Sequence, residues 1–290
     1  MVIGPTLHRD DADVQTAIKN LFIGSAPENS GELEDFWKLL ATSFQLVDDD
    51  HPDGRFIMDA GAFRYIRFNH RALRAFWFSG YIAWEGYRTV AENPVVELEH
   101  LDHFQEMLAS FDAMISSDNP EMEPLPFGVA EPGNYADPNI DPQSRAAGEI
   151  ATIATAWALL HEVQHIKHQQ SGTGANQSDR TQQHLEELSC DKFATEFLLE
   201  GAESYAKSQK VDVGLVNQKR QLGIYFALFT LTILAKDKWE ETETHPAVQD
   251  RIDAVCSIMS SNRSEIADAM AHTSFAVLRT HWPNAPGVFL

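Results

Sequence analysis

The stretch with the most evident capacity for chemistry is HEVQHIKHQQ, residues 161–170, which directly follows an apolar run. His161 and His165 are four residues apart, so on a helix their rings share one face and can bind one metal ion. Glu162 lies about 100° round the helix, where it can act as a base beside the ion without binding it. The alternative is the polar end of a helix, since the chain contains 12 histidines.

His168 belongs to the same helical stripe as His161 but follows it by two turns. Two turns correspond to about 10 Å along the helix axis, which is too far for one ion to bind both rings well. We therefore expect His168 to be solvated or to support a ligand, and not to bind the metal.

A catalytic zinc site usually has three protein ligands and leaves a fourth position open. The segment at about 181–206 has a helical pattern that places Glu187 and Asp191 on one face. We predict that Glu187 is the third ligand and that Asp191 orients a ligand histidine by accepting its free ring N–H. The alternative is a solvated acidic helix face, and Glu186 is a rival for the ligand role. Cys190 points off this face and is expected to pack in the core.

A third motif, THPAVQDRIDAV, occupies residues 244–255. Pro246 suits the first turn of a helix, which would place His245 at or just before a helix start, with Arg251 nearly two turns later. A histidine or arginine beside a metal can stabilise the oxyanion of a tetrahedral intermediate. His245 and Arg251 are therefore candidate catalytic residues, the alternative being a capping residue and a surface arginine.

In order and internal spacing, the three motifs HEVQH, ELSCD and HPAVQDRI resemble those of gluzincin zinc peptidases of the HtpX and prenyl-protein peptidase kind. The resemblance covers residues 161–255, and Cys190 stands where those peptidases usually have alanine. It implies Zn²⁺ as cofactor and these roles: His161, His165 and Glu187 as ligands, Glu162 as base, Asp191 behind a ligand, and His245 with Arg251 near the substrate.

Those relatives span membranes, and this chain looks more like the Lit-type phage-exclusion peptidases, which act on a cytoplasmic translation factor. The resemblance implies a zinc-dependent endopeptidase acting on a cytoplasmic protein, with a translation elongation factor as the candidate substrate and an activating peptide or protein as a candidate partner. Two other classes of function stay open. One is a zinc-bearing protein that binds a partner without cleaving it, and the other is a histidine-rich helical protein without metal.

Composition narrows the choice of partners and location. With 43 acidic and 22 basic residues, the net charge of −21 argues against binding to nucleic acid or to anionic lipid. The chain has only two cysteines and its N-terminus lacks the pattern of a secretion signal, so we expect a cytoplasmic protein. The apolar run at 222–235 is shorter than the roughly 20 residues needed to span a bilayer, which predicts a buried helix.

The periodicity predicts a mainly α fold of the zincin-like type (α+β), with a small β-sheet and a helical active-site core. Helices are expected at about 70–91, 96–117 and 143–169. The stretch GRFIMDAGAFRYIRFN, residues 54–69, predicts two short strands. We expect the second of these strands, at 62–68, to be an edge strand along which the substrate lies.

The distribution of prolines suggests three parts along the chain. Residues 1–118 read as a helical and hairpin region that contains the candidate substrate strand. Six prolines interrupt the next segment, 119–143, which is predicted to be a connecting loop and a domain boundary or substrate cover. Residues 144–290 read as the helical zinc-peptidase core.

Overall fold

In the computed structural model, residues 11–39, 43–48, 56–60, 65–93 and 95–289 are described. Within these ranges the chain forms ten α-helices and one three-stranded sheet, which confirms the predicted mainly α fold with a small sheet. The helices, numbered in chain order, are α1 (Asp11–Gly24), α2 (Ser30–Leu39), α3 (His70–Glu92), α4 (Asp102–Ser116), α5 (Pro142–Ser171), α6 (Arg180–Leu199), α7 (Ala202–Gln209), α8 (Val213–Leu234), α9 (Val248–Met259) and α10 (Glu265–His281). The strands are β1 (Ser43–Leu46), β2 (Met58–Ala60) and β3 (Tyr65–Phe68).

Helix α5 lies at the centre of the molecule and packs against α3, α6 and α8. It begins after Asp141, whose carboxylate accepts a hydrogen bond from the backbone N–H of Ser144 at 3.0 Å. It ends at Gly172, which adopts the left-handed conformation with φ of +69°. The capping acid and the glycine explain why the predicted helix at 143–169 is confirmed almost to the residue.

The first half of α5 is held by very close approaches of two neighbouring helices. A Cβ atom added to Gly80 of α3 would lie only 2.6 Å from the Cβ of Ala151. A Cβ atom added to Gly223 of α8 would overlap the side chain of Ile153. Because both helices approach α5 at positions where only glycine fits, its position and rotation are tightly constrained. The packing therefore determines which face of α5 is open to the cleft described below.

The helix predicted at 181–206 is two helices, and that prediction of one continuous element was wrong. Helix α6 ends at Leu199 and α7 begins at Ala202. Between them Gly201 has a φ of +79°, a conformation that stops an α-helix. Arg220 of α8 donates a hydrogen bond to the carbonyl oxygen of Leu198 at 2.9 Å, which satisfies the end of α6.

The sheet has the order β1-β3-β2, with β1 parallel and β2 antiparallel to β3. Strand β3 is therefore central, and the prediction that residues 62–68 form an edge strand was wrong for Tyr65–Phe68. Residues 62–64 lie outside the described residues. The two short strands predicted within residues 54–69 are confirmed as β2 and β3, whereas β1 was not predicted.

Strand β2 is the edge of this sheet nearer to α5. The backbone N–H of Asn69 donates to the carbonyl oxygen of Ile57 at 3.1 Å, and Asp59 lies opposite Arg67. Hydrogen-bonding pairs alternate along an antiparallel ladder, so the backbone groups of Met58 and Ala60 point away from β3. The side-chain amide of Gln169 in α5 donates to the outward carbonyl oxygen of Ala60 at 3.4 Å.

The proline-rich segment covers α3. Apart from a short 3₁₀ turn at Pro120–Met122, residues 119–141 form no helix or strand, as predicted. Arg74 donates to the carbonyl oxygen of Glu123 at 2.9 Å, and Trp77 donates through its indole N–H to the carbonyl oxygen of Ala130 at 2.7 Å. The division of the chain at 119–143 remains a prediction.

Helix α8 contains the long apolar run, and its residues from Arg220 to Thr230 are buried. This confirms that residues 222–235 belong to a buried helix, except for the last residue, which follows the helix end. No helix within the described ranges has both the length and the apolar character needed to cross a membrane.

Candidate metal centre

Two imidazoles and one carboxylate meet at a single point between α5 and α6. The Nε2 atoms of His161 and His165 are 3.1 Å apart. The carboxylate of Glu187 places Oε2 3.4 Å from Nε2 of His161 and Oε1 3.2 Å from Nε2 of His165. Ligand atoms about 2.0–2.1 Å from a tetrahedral zinc ion lie about 3.3 Å from one another. The three side chains therefore have the separations that one tetrahedral ion requires.

The ring of His161 is held from behind by a buried ion pair. Its Nδ1 donates to Oδ1 of Asp191 at 2.9 Å, and Asp191 is fully buried. Arg251 binds the same carboxylate through Nε at 2.8 Å and Nη2 at 2.6 Å. Because Asp191 holds the Nδ1 side of the His161 ring, the Nε2 side faces Glu187. The structure thus brings Asp191 against the Nδ1 side of the His161 ring and pairs Arg251 with Asp191.

The ring of His165 is held by Glu186, the rival ligand of the sequence analysis. Nδ1 of His165 donates to Oε1 of Glu186 at 2.7 Å. Glu186 thus lies on the far side of the ring from the point where the Nε2 atoms meet. Its second oxygen accepts the backbone N–H of Ala175. Of the two neighbouring glutamates, only Glu187 therefore faces both Nε2 atoms.

The buried charges of the site favour a cation. Burial raises the pKa of the Glu187 carboxyl, but hydrogen bonds from His161 and His165 outweigh it and hold this pKa well below its usual range. Burial lowers the pKa of His161, but Asp191 and Glu187 outweigh it and raise this pKa to about 10. The carboxylates thus draw positive charge onto the imidazoles, and a metal ion supplies the same charge.

Glu162 follows His161 on the face of α5 that lines the cleft. Burial raises the pKa of its carboxyl, although the neighbouring His161 and His165 oppose the shift. A carboxyl group with a raised pKa is closer to the range in which it can accept and then return a proton near neutral pH. Glu162 therefore stays a candidate base in the cavity that His161, His165 and Glu187 also line.

His245 lies at the rim of the cleft in the turn that precedes α9. The helix begins at Val248, so Pro246 precedes it. The prediction that Pro246 occupies the first turn of this helix was wrong. Nε2 of His245 is 3.7 Å from Oε1 of Glu187, and the side chain is 54% exposed. Its Nδ1 lies 2.7 Å from Oγ1 of Thr244. Burial of the ring is the main cause that lowers the pKa of His245.

Two cavities that share four lining residues form the cleft over the metal point. The first has a volume of about 480 Å³ and the second about 490 Å³. Both are bordered by Ala60, His165, Gln169 and Glu187. The first continues over apolar side chains, namely Phe56, Met58, Phe76, Trp157, Leu231 and Leu234. The second continues over polar ones, namely Gln177, Gln183 and Thr244. Among the described residues that line either cavity, none comes from 119–143, so the predicted substrate cover receives no support.

Cys190 and His168 are the two other potential donors near the site. The thiol of buried Cys190 and one ring nitrogen each of His161 and His165 lie within 4.8 Å of one another, so these three side chains could also hold a metal ion. Burial, reinforced by Glu187, strongly raises the pKa of that thiol, which makes it a poor ligand as it stands. His168 instead contacts Ser189 at 2.8 Å and Thr173 at 2.9 Å.

Comparison with known proteins identifies the family. Searches of curated proteins and of solved structures gave no match. The model of the peptidase U49 family matches residues 66–271, which is more than half of the chain and includes every residue from His161 to Arg251. Strand β2 lies just before the matched region. The chain therefore belongs to the peptidase U49 family.

Proposed function

We propose that this peptidase is a zinc-dependent endopeptidase whose ligands are His161, His165 and Glu187. The observation that carries the proposal is the meeting of two Nε2 atoms and one carboxylate at separations of 3.1 to 3.4 Å. Each imidazole also donates its other ring N–H to a carboxylate, as metal-binding histidines in proteins usually do. This pattern favours Glu187 over Glu186 and over Cys190 as the third ligand.

The surrounding residues supply the acid and base chemistry of peptide hydrolysis. A bound zinc ion would provide a Lewis acid for water and for the peptide carbonyl. Glu162 takes a proton from the attacking water and passes it to the departing amine, a role that its raised pKa suits. His245, at the rim, donates its ring N–H to the carbonyl oxygen as negative charge develops there.

Arg251 serves the reaction as a positioning residue. Two of its nitrogens bind Asp191, and the third, Nη1, is 3.7 Å from Oε2 of Glu187. A guanidinium committed in this way keeps both carboxylates ionised and in place. This role differs from the direct contact with substrate that the motif suggested.

The substrate would bind as an extended chain between β2 and α5. The outward backbone groups of Met58 and Ala60 can pair with a polypeptide in the manner of an added strand. We therefore assign the role of substrate-binding edge strand to β2, and no longer to the strand predicted at 62–68. The Lit-type resemblance of the motifs favours a cytoplasmic protein as substrate. The first candidate substrate is a translation elongation factor, whose cleavage would serve phage exclusion. It also suggests that cleavage requires an activating peptide or protein.

The decisive experiment is the substitution Glu162→Gln. The variant should keep one zinc per chain, because Glu162 is not a ligand, while hydrolysis falls by about 10²–10⁴-fold since an amide cannot accept the proton of water. Zinc is measured by elemental analysis and cleavage by the loss of intact elongation factor in cells that express the chain and are infected with phage. The matched control is Glu203→Gln on the exposed surface of α7, which should change neither.

A phage-exclusion or toxic effect that survives Glu162→Gln, with the elongation factor intact, would contradict the peptidase mechanism. That outcome would favour a zinc-bearing protein that acts by binding its partner. Loss of zinc from Glu162→Gln would instead show that Glu162 is a ligand.

A further inference from the structure

Glu186 joins the metal point to the segment between α5 and α6. Its Oε1 accepts Nδ1–H of His165 at 2.7 Å, and its Oε2 accepts the backbone N–H of Ala175. The side chain is only 14% exposed, so water competes little for these hydrogen bonds. A single carboxylate thus connects a candidate zinc ligand to the backbone of residues 172–179, here called the α5–α6 connection.

The α5–α6 connection also forms part of the cleft. Gly174, Ala175 and Gln177 line the polar cavity together with His165 and Glu186. A displacement of this segment would therefore change the shape of the polar end of the cleft. Because Ala175 lines this cavity and donates its backbone N–H to Glu186, the position of Glu186 affects the shape of the polar cavity.

A second attachment holds the same segment without reaching the metal point. His168 lies 2.9 Å from Oγ1 of Thr173 and 2.8 Å from Oγ of Ser189. The hydroxyl of Ser189 in turn donates to the backbone carbonyl of Glu186 at 2.8 Å. The connection is thus held at Thr173 by His168 and at Ala175 by Glu186, and Gln182 and Gln183 of α6 hold its later residues. Of these four side chains, only Glu186 is hydrogen-bonded to a candidate ligand in the described structure.

The two carboxylates behind the ligand rings therefore differ in what holds them. Asp191 is held by the guanidinium of Arg251, which is itself buried in α9. Glu186 is held by a backbone N–H of a connecting segment. A change in that segment is transmitted to His165, whereas His161 has no comparable contact with it in the described structure.

We propose that Glu186 is a positioning residue that couples metal binding at His165 to the conformation of the α5–α6 connection. The proposal rests on the proposed zinc site. A metal ion bound to Nε2 of His165 would fix the orientation of the imidazole ring. The ring would then hold the Glu186 carboxylate in place, and this carboxylate would hold the backbone N–H of Ala175. By reciprocity, whatever orders the connection, including a polypeptide in the polar cavity, strengthens metal binding by the same factor.

Two measurements on purified full-length protein test this coupling. The first is the zinc dissociation constant, obtained by competition with a chromophoric chelator. The second is hydrogen exchange of the backbone amides at 172–179, with and without zinc. In the wild-type chain, zinc should slow exchange in this segment. With Glu186→Ala, zinc binding should weaken by about 10–100-fold, and zinc should no longer slow exchange at Ala175.

Glu186→Gln provides a graded variant. An amide has one acceptor oxygen and a donor NH₂, so it can serve one of the two N–H groups well but not both. We expect an affinity between those of the wild type and Glu186→Ala, with reduced protection at Ala175. The matched control is Glu196→Gln, which removes the same charge from an exposed position on α6 and should leave both measurements unchanged.

Each contrary result has a distinct meaning. Weaker zinc binding with undiminished zinc protection at Ala175 would overturn the coupling. Unchanged affinity in both Glu186 variants would overturn the positioning role. Failure of the wild-type chain to bind zinc would overturn the proposed metal site itself, and with it this inference. If Glu186→Ala does not fold, as judged by circular dichroism, the comparison of Glu186→Gln with Glu196→Gln decides between these outcomes.

Discussion

His161 and His165 are one turn apart on the same helix, yet their surroundings differ. His161 is 6% exposed, and behind it lie the buried side chains of Asp191 and Arg251. His165 lies one turn nearer the C-terminal end of α5, where its ring contacts the mostly buried Glu186 and, through it, the α5–α6 connection. One ligand thus belongs to the packed interior and the other to the wall of the cleft.

The difference means that one ligand of the proposed site is held rigidly, whereas the position of the other can change. On the His161 side, any displacement would separate buried opposite charges, which is costly. Behind His165, a displacement would change its hydrogen bond to Glu186 and the hydrogen bond from Glu186 to the α5–α6 connection, with no buried guanidinium behind that carboxylate among the described residues. We therefore expect substitutions behind His161 to affect stability and those behind His165 to affect metal affinity and the cleft.

The largest effect should come from the ligands themselves, where the two sides are equivalent. His161→Ala and His165→Ala should each abolish stoichiometric zinc, because two protein ligands hold the ion far less tightly than three. Elemental analysis of protein purified without added zinc is the measurement. His168→Ala is the control and should retain the metal. One zinc per chain in His165→Ala would rule out the proposed site.

On the interior side, Arg251→Met should lower the free energy of unfolding by about 3–5 kcal/mol, since it removes the guanidinium that pairs with the buried carboxylates of Asp191 and Glu187. Urea denaturation of the metal-free protein measures this loss. The control is Arg145→Met, which breaks a partly exposed ion pair with Glu149 and should cost no more than about 1 kcal/mol. Equal losses in the two variants would contradict the proposed contrast.

The loss in Arg251→Met should also depend on pH. Although burial raises it, the Arg251 guanidinium holds the pKa of Asp191 below its ordinary value of 3.8. The stability that Asp191 contributes is therefore present above that value and is lost as the pH falls through the folded-state pKa. The difference in unfolding free energy between wild type and variant should shrink below about pH 4. A difference that grows in acid would show that Asp191 is not the group involved.

The packing behind the interior half of α5 should show a smaller effect. Gly80→Ala should destabilise the fold by about 1–3 kcal/mol, because its Cβ would press against Ala151. Gly31→Ala, on helix α2, has no neighbouring atom within 4 Å of the added Cβ. It should stabilise the fold by about 0.5–1 kcal/mol through helix propensity. Denaturation curves of the two variants should therefore shift in opposite directions.

The smallest effect is expected at Cys190. Cys190→Ala should keep one zinc per chain and cost about 1 kcal/mol of stability, as a small core truncation does. If the thiol does not bind the metal, the cobalt-substituted wild type should show no thiolate-to-cobalt charge-transfer band in the near ultraviolet. A band that disappears in Cys190→Ala would make the thiol a ligand and would assign a different donor set to the site.

Local periodicity was enough to predict the parts of the site that lie within one helix. The spacing of His161 and His165 depends only on 3.6 residues per turn, and the limits of α5 depend on Asp141 and Gly172 close to its ends. The same holds for the shared face of Glu187 and Asp191. Such features follow from neighbours in sequence, so the sequence determined them before any helix was packed.

Only the tertiary structure could decide contacts between elements. Glu186 and Glu187 are adjacent in sequence, and the crossing of α6 over α5 alone decides which of them faces both Nε2 atoms. The pairing of Arg251 with Asp191 joins residues 60 positions apart. The central position of β3 depends on its parallel pairing with β1, about 20 residues away. These contacts form only when the elements pack against one another, so they cannot be predicted from the periodic pattern of the sequence.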